Sequence, residues 1–203
     1  MAARKPTETH RLVVGISGAS GVVYGVRLLE LLRAARVETH LVMSRAAQVT
    51  LAYETDYKVK DVVRLADYSY GIDDIAAAIS SGSFPTLGMI VAPCSTRTLA
   101  EIATGVTSTL LTRAADVVLK ERRRLLLVVR ETPLHLGHLR NMAAVTEMGA
   151  VVYPPVPAFY ARPATVAEMI DQTLGRALDQ FGLDVGATRR WGRDLGPRPR
   201  GAR

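Results

Sequence analysis

The chain has 203 residues, of which 48% are apolar and 22% are charged, a balance that is typical of one globular domain and excludes a mainly disordered chain. The net charge is +7, but six arginines against one aspartate beyond residue 187 supply +5 of it. The rest of the chain therefore has little excess charge, which argues against a surface that follows a nucleic-acid backbone.

Apolar residues recur along most of the chain with the periods of buried strands and amphipathic helices. Residues 1–10 lack such a period and are predicted to be a flexible N-terminal segment. Strands are predicted over 11–17, 38–43, 87–92, 125–129 and 151–152, and helices over 22–36, 45–53, 98–103, 110–123, 136–148 and 165–181. This alternation indicates an α/β domain over 11–187, a single-domain Rossmann-like or flavodoxin-like three-layer sandwich with a mostly parallel sheet. Residues 188–203 are predicted to be a solvated, Arg-rich C-terminal tail.

Cysteine usage and hydropathy bear on location. Cys94 is the only cysteine, so no internal disulfide can form, and the start of the chain lacks the pattern of a secretory signal. The longest uncharged stretch, 75–96, is interrupted by serine, glycine and proline and does not read as a membrane span. We therefore expect a cytoplasmic protein that does not enter membranes, with Cys94 as a buried structural thiol rather than a nucleophile.

The glycines after the first strand form the first candidate site, because ligands of such sheets bind beyond the carboxyl ends of the strands. Gly15, Gly18 and Gly21 have the spacing G-x-x-G-x-x-G, which differs from the dinucleotide fingerprint G-x-G-x-x-G and disfavours NAD. The turn still presents backbone N–H groups at a helix N-terminus, which suits a phosphate or the edge of a polar ring. The alternative is that the glycines only permit a sharp turn and that Ser20 is an ordinary N-cap.

Hydroxyl groups follow the next two predicted strands. Ser44 comes after one of them, and Ser95, Thr96 and Thr98 come after the other, with Arg97 beside them. Each hydroxyl alone could be a helix cap, but hydroxyls at successive strand ends favour a cradle for a phosphate and a sugar.

Arg130 and Glu131 stand where the most apolar strand ends. Charges at that place are costly unless they meet charged groups of a ligand, so both are candidates for chemistry. His135 and His138 could share one helix face, but no third ligand accompanies them at a metal-binding spacing, and no metal site is predicted.

The chain resembles a known family in several collinear motifs between about residues 11 and 191. The motifs are Ile16-Ser-Gly-Ala-Ser-Gly21, Glu54-Thr-Asp56, Ala92-Pro-Cys-Ser95, Leu111-Thr-Arg-Ala-Ala-Asp116, Leu119-Lys-Glu-Arg-Arg123, Arg130-Glu-Thr-Pro-Leu134, His138-Leu-Arg-Asn-Met142 and Ala158-Phe-Tyr160. They are similar to those of the UbiX-type flavin prenyltransferases, which were formerly described as flavoprotein aromatic-acid decarboxylases. Two departures, Thr107-Ser-Thr109 and Arg45, put local capping and subunit contacts in doubt more than the reaction.

The resemblance implies an activity and a set of partners. Family members transfer a dimethylallyl group from dimethylallyl phosphate to reduced FMN without a metal. The prenylated FMN that they make is the cofactor of a UbiD-type decarboxylase. The resemblance also implies a homododecamer with sites at the subunit interfaces.

The same resemblance implies roles for individual residues, carried over position by position. FMN binding falls to Gly18, Ala19, Ser20, Ser44, Ser95, Thr96, Arg97, Thr98 and Arg130. Binding of the dimethylallyl phosphate falls to Lys120, Arg130, Tyr160 and Arg176. Ser20, Glu54 and Glu131 match the catalytic positions, and the two glutamates are expected to carry protons if burial raises their pKa values.

Two other functions are weighed against this one. A flavin-dependent decarboxylase of the peptidyl-cysteine type would share the fold and the FMN cradle, but its catalytic histidine in the early helices has no counterpart between His40 and His135. An FMN-binding accessory subunit without turnover would be favoured if the donor-site cations were missing, and they are present.

Overall fold

The computed structural model describes residues 10–197 and contains one sheet of six strands in the order β3-β2-β1-β4-β5-β6. The strands are β1 Arg11–Ile16, β2 Glu38–Met43, β3 Tyr68–Tyr70, β4 Gly88–Cys94, β5 Arg124–Val129 and β6 Val151–Val152. The helices are α1 Val22–Ala34, α2 Arg45–Glu54, α3 Val59–Val63, α4 Thr96–Ala103, α5 Leu110–Lys120, α6 Leu136–Glu147 and α7 Val166–Asp179. Every neighbouring pair of strands is parallel, so the predicted three-layer α/β fold is confirmed.

Two apolar layers hold the sheet between its helices. Alternate residues of the strands point to opposite faces, so that Val14 packs under α1 and α7 while Val13 packs under α4 and α5. Because both faces are covered, the central strands are apolar throughout, which is the pattern that predicted a parallel sheet.

Helix α1 lies unusually close to the sheet at Gly25. A Cβ placed there would be 2.4 Å from the carbonyl oxygen of Ala92 and 2.7 Å from Cδ1 of Ile16. Only glycine permits this approach, which fixes the N-terminus of α1 above the ends of β1 and β4. The order of strands reverses between β1 and β4, and such switch points leave a crevice at the carboxyl edge of the sheet.

Some predicted elements differ from the structure. The short strand β3 and helix α3 have no counterpart among the predictions. For β3 the reason is that Tyr68–Tyr70 is half exposed and, among the described strands, pairs only with β2 at the edge of the sheet. The predicted ends of α1, α5 and α7 extend two or three residues too far, and α4 starts two residues before its predicted beginning.

The C-terminal segment is only partly described, so its solvated, Arg-rich character stays a prediction. Within the described part, Thr188 is buried against α7 and Arg190 binds Asp179, a carboxylate partner that a count of charges does not reveal. Residues 1–9 and 198–203 lie outside the described residues, and with them lies the prediction of a flexible N-terminal segment. No helix within 10–197 is both long and apolar enough to cross a membrane.

Candidate active site

A cleft of about 230 Å³ lies at the carboxyl edge of the sheet, between the N-termini of α2 and α4. We call it the hydroxyl cleft. Its lining includes five of the residues predicted to bind the cofactor, Gly18, Ser44, Ser95, Arg97 and Thr98. Sequence reasoning did not place the residues that complete the wall, which are Arg45, Ala46, Ile72, Asp73, Glu101, Thr109 and Leu111. Ile72 and Asp73 follow β3, so overlooking that strand also concealed this side of the cleft.

Hydroxyls of the cleft cap helices and can also donate hydrogen bonds to a ligand. Ser44 Oγ accepts from the backbone N–H of Ala47 at 3.0 Å, and Ser95 Oγ accepts from that of Thr98 at 3.2 Å. Ser95 in turn donates to Thr98 Oγ1 at 3.1 Å. Among the described residues, neither the Ser44 nor the Thr98 hydroxyl donates to a protein acceptor. Both can therefore donate to a phosphate, and the two interpretations of these residues, as caps and as ligands, are compatible.

A second cavity, of about 460 Å³, opens on the other side of the glycine loop. We call it the arginine cavity. Ser20, Arg130 and Glu131 line it together with Gly21, Tyr24, Val129, Thr132 and residues 154–157. Sequence reasoning singled out the first three, and Thr132 belongs to the same motif as Arg130, whereas Tyr24 and the first prolines of the 154–157 loop carry no motif signal of their own and enter through folding.

Glu54 binds the end of the glycine loop where α1 begins. Its Oε2 atom accepts from the backbone N–H groups of Gly21 at 2.8 Å and of Val22 at 3.1 Å. Gly21, with φ of 96°, is the N-cap of α1 and gives no side-chain cap. The alternative that Ser20 is an ordinary N-cap does not hold, because Gly21 is the N-cap and a carboxylate from α2 takes the N–H groups that the sequence left open for a phosphate.

The electrostatics of Glu54 also differ from expectation. Burial by itself raises the pKa of Glu54, but hydrogen bonds from Ser20 and from the backbone of Gly21 and Val22, with the charge of Arg130, hold it below its ordinary value. The condition set for Glu54 as a proton carrier, a pKa raised by burial, is therefore not met, because these hydrogen bonds and the charge of Arg130 outweigh burial and keep Glu54 ionised at neutral pH. An ionised carboxylate in contact with Ser20 can accept a proton through that hydroxyl.

The remaining predicted ligands do not all converge. Ala19 is buried, and Thr96 is the first residue of α4, but neither lines the two cavities. Lys120 ends α5 and donates to Glu121. Lys120 lies before β5, and Arg130 lies after it. Six residues of strand, at about 3.3 Å each, therefore separate the two residues by on the order of 20 Å.

Tyr160 and Arg176 lie outside the arginine cavity as well. Tyr160 belongs to a 3-10 helix, Phe159–Ala161, and its ring meets that of Trp191 edge to face with centroids 6.0 Å apart. Arg176 is on the last turn of α7 and donates to Asp179. Of the four residues expected to bind the donor, a single chain therefore brings only Arg130 into this cavity.

Two other sequence candidates have structural explanations. Cys94 is fully buried, and burial raises the pKa of its thiol to about 12, so the prediction of an inert thiol is confirmed. The rings of His135 and His138 stack with centroids 3.6 Å apart, and His135 Nδ1 caps α6 by accepting from Gly137. Within residues 10–197, no three His, Cys, Asp or Glu side chains come together as a metal site would require.

Comparison with known proteins identifies the family. Residues 1–178 match the profile of the Flavoprotein family. The flavin prenyltransferase UbiX of Escherichia coli strain K12 is 62% identical over 176 residues, which are 86% of this chain and 93% of that protein. The chain belongs to the UbiX flavin prenyltransferases. The family resemblance predicted from the motifs is thus confirmed.

Solved structures of the family agree with the fold. AnUbiX (PadA1), crystallised in complex with FMN and dimethylallyl pyrophosphate, is 54% identical with a TM-score of 0.89, over 91% of this chain and 98% of that chain. A dodecameric FMN-dependent Ubix-like decarboxylase from Escherichia coli O157:H7 is 53% identical with a TM-score of 0.87, over 89% of this chain and 98% of that chain.

Proposed function

We propose that this flavin prenyltransferase transfers the dimethylallyl group of dimethylallyl phosphate to reduced FMN, and that a UbiD-type decarboxylase uses the product as its cofactor. The observation that carries the proposal is the arginine cavity, where Arg130, Glu131 and Ser20 meet next to the hydroxyl cleft. A cation, a carboxylate and a hydroxyl beside a phosphate cradle are the groups that ionisation of an allylic phosphate and removal of a proton require.

The hydroxyl cleft fits FMN by its donors. The free protons of Ser44 and Thr98, the N-termini of α2 and α4, and Arg97 at the rim suit a phosphate and a ribityl chain. Gly18 borders the cleft, and a Cβ there would stand 2.4 Å from Cβ of Ala46, so the glycine loop and α2 form a close wall. When bound, reduced FMN supplies the ring nitrogen and neighbouring ring carbon that form the two new bonds.

The charged residues have distinct roles in the transfer. Arg130 stabilises the phosphate as its bond to the allylic carbon breaks, because a fixed cation is most effective where negative charge develops. Protons must leave as the two new bonds form: Ser20 passes one to the ionised Glu54, and Glu131, which lines the same cavity as Ser20, accepts another. The family resemblance gives Tyr160 the role of an aromatic face for the allylic group while that group is cationic, although within one chain its ring packs on Trp191 outside the cavity.

The donor site is completed by neighbouring copies of the chain. Lys120 cannot reach its own Arg130, so it serves the arginine cavity of another subunit. Exposed apolar side chains near this cavity suit such a contact, with Val156 72% and Phe159 74% exposed, since apolar patches of this kind mark interfaces. The dodecameric relative supports an assembly of the same kind here. The cytoplasmic location stays a prediction.

Anaerobic incubation of the purified protein with reduced FMN and dimethylallyl phosphate, followed by mass spectrometry of the extracted flavin, tests the proposal. We expect the flavin to gain one C5H8 unit and free phosphate to appear in equal amount. A parallel reaction with dimethylallyl pyrophosphate decides whether the donor must be the monophosphate. Bound FMN that keeps its mass with both donors would contradict the proposal and favour an accessory flavoprotein.

Addition of a UbiD-type apo-decarboxylase to the reaction tests the second half of the proposal. Decarboxylation should depend on both the donor and this protein. Flavin of increased mass that never activates such an enzyme would leave the transfer standing and remove the partner.

A further inference from the structure

The segment that follows α7 is built around Arg190. The backbone N–H of Arg189 donates to Gln172 Oε1 at 2.8 Å, and Gln172, which is 3% exposed, donates back to the carbonyl of Arg189 at 3.2 Å. The neighbouring Arg190 donates from Nη2 to Asp179 Oδ1 at 2.8 Å and from Nη1 to Oδ2 at 2.9 Å. The segment thus holds a guanidinium group against both oxygens of one carboxylate.

That carboxylate is also the partner of Arg176. Arg176 donates to Oδ2 of Asp179, so one negative charge is shared by two guanidinium groups. Asp179 is 16% exposed at its side chain and Arg190 is 26% exposed, so solvent screens their contact only in part. The hydrogen bond from Arg190 is the largest influence on the pKa of Asp179, which lies below its ordinary value.

We propose that Arg190 is a positioning residue for the donor site, because it shares Asp179 with Arg176 and so weakens the hold of that carboxylate on Arg176, whose charge can then turn to the phosphate of the donor. The inference rests on the proposed function, together with the donor-binding role that the family resemblance implies for Arg176. Without Arg190, Asp179 would pair with Arg176 alone, and the donor would have to compete with an internal ion pair. Asp184 also contacts Arg190, at 3.2 Å, but it is 59% exposed and does not contact Arg176.

The test compares steady-state kinetics of four proteins at saturating reduced FMN. Arg190→Gln should raise the KM for dimethylallyl phosphate by about fivefold or more, which is within the coupling range of interacting charges, with kcat and the Kd for FMN unchanged. Asp179→Asn in the Arg190→Gln background should restore KM to near the wild-type value, because the competing charge is gone. Arg193→Gln is the matched control, since Arg193 lies in the same segment, is 64% exposed and pairs only with Asp194.

The outcomes distinguish a positioning role of Arg190 from a purely structural one. An unchanged KM in Arg190→Gln, or a raised KM that Asp179→Asn does not restore, would overturn the inference and leave Arg190 a structural residue. If Arg190→Gln does not fold, Asp179→Asn alone must lower KM or leave it unchanged, and Arg190→Lys must give an intermediate KM. A wild-type protein without turnover would overturn the proposed function and this inference with it, whereas turnover with no effect of Arg190 overturns the inference only.

Discussion

The hydroxyl cleft and the arginine cavity lie on two sides of the same glycine loop, yet they are built differently. The cleft is lined by hydroxyls and helix N-termini of one chain, and five of the nine predicted cofactor ligands converge there. The cavity receives one of the four cations and aromatic groups expected of it, Arg130, while Lys120 is at the opposite edge of the sheet. One chain therefore brings five of the predicted cofactor ligands together, whereas the proposed donor site depends on assembly.

The largest expected effect is a loss of turnover on removal of either donor-site cation, which mixing of the two variant subunits should partly reverse. Arg130→Gln and Lys120→Gln should each lower turnover by about 100-fold or more, the usual cost of removing a charge-stabilising donor. The proposal places the two residues on different copies, so co-expressed variants should recover activity, with about a quarter of the sites intact in a closed symmetric assembly. Product formation by the purified mixed oligomer measures this, and a mixture as inactive as its parents would place both residues in one subunit's site.

A second substitution separates binding from chemistry within the arginine cavity. Glu131→Gln keeps the size of the side chain but cannot accept a proton, so it should bind FMN normally and lose product formation by about 100-fold. Flavin fluorescence and mass spectrometry of the flavin give the two quantities. Undiminished turnover would remove Glu131 from the mechanism.

The hydroxyl cleft should respond in affinity alone. Ser44→Ala removes one hydroxyl donor and should weaken FMN binding by roughly ten- to a hundredfold, as expected for a hydrogen bond to a charged group, while the KM for the donor stays constant. Thr165→Ala is the control, because Thr165 caps α7 as Ser44 caps α2. Equal losses of FMN affinity in both variants would mean that only helix capping is being measured.

The smallest effect concerns the pH dependence of stability through Glu54. Since its pKa is lowered in the folded state, its ionised form stabilises the protein above the unfolded pKa of about 4.3, and this contribution disappears as pH falls through the folded value. Glu54→Gln should therefore be less stable than the wild type at pH 7, and the gap should close in acid. Thermal unfolding between pH 7 and pH 3 measures it, and a gap that is independent of pH would show that Glu54 acts by shape alone.

The central strands and the helices that cover them could be predicted from the sequence, because burial on both faces leaves an uninterrupted apolar run such as Leu125–Val129. The edge strand β3 could not, since it has one partner strand and exposed side chains, and its identity depends on pairing with β2. The hydroxyls after β2 and β4 and the charges after β5 were predictable for a related reason. In a parallel sheet, chain position after a strand specifies the edge at which a side chain emerges.

Contacts between distant segments were decided only by the tertiary structure. The sequence by itself determined the α/β class, the family motifs and the residues at the carboxyl edge of the sheet, because these depend on local period and order along the chain. It did not determine that Glu54 caps α1, that the length of β5 separates Lys120 from Arg130, or that Arg190 binds Asp179. Each of these pairings depends on where separate segments pack in space, and no local pattern of residues encodes that.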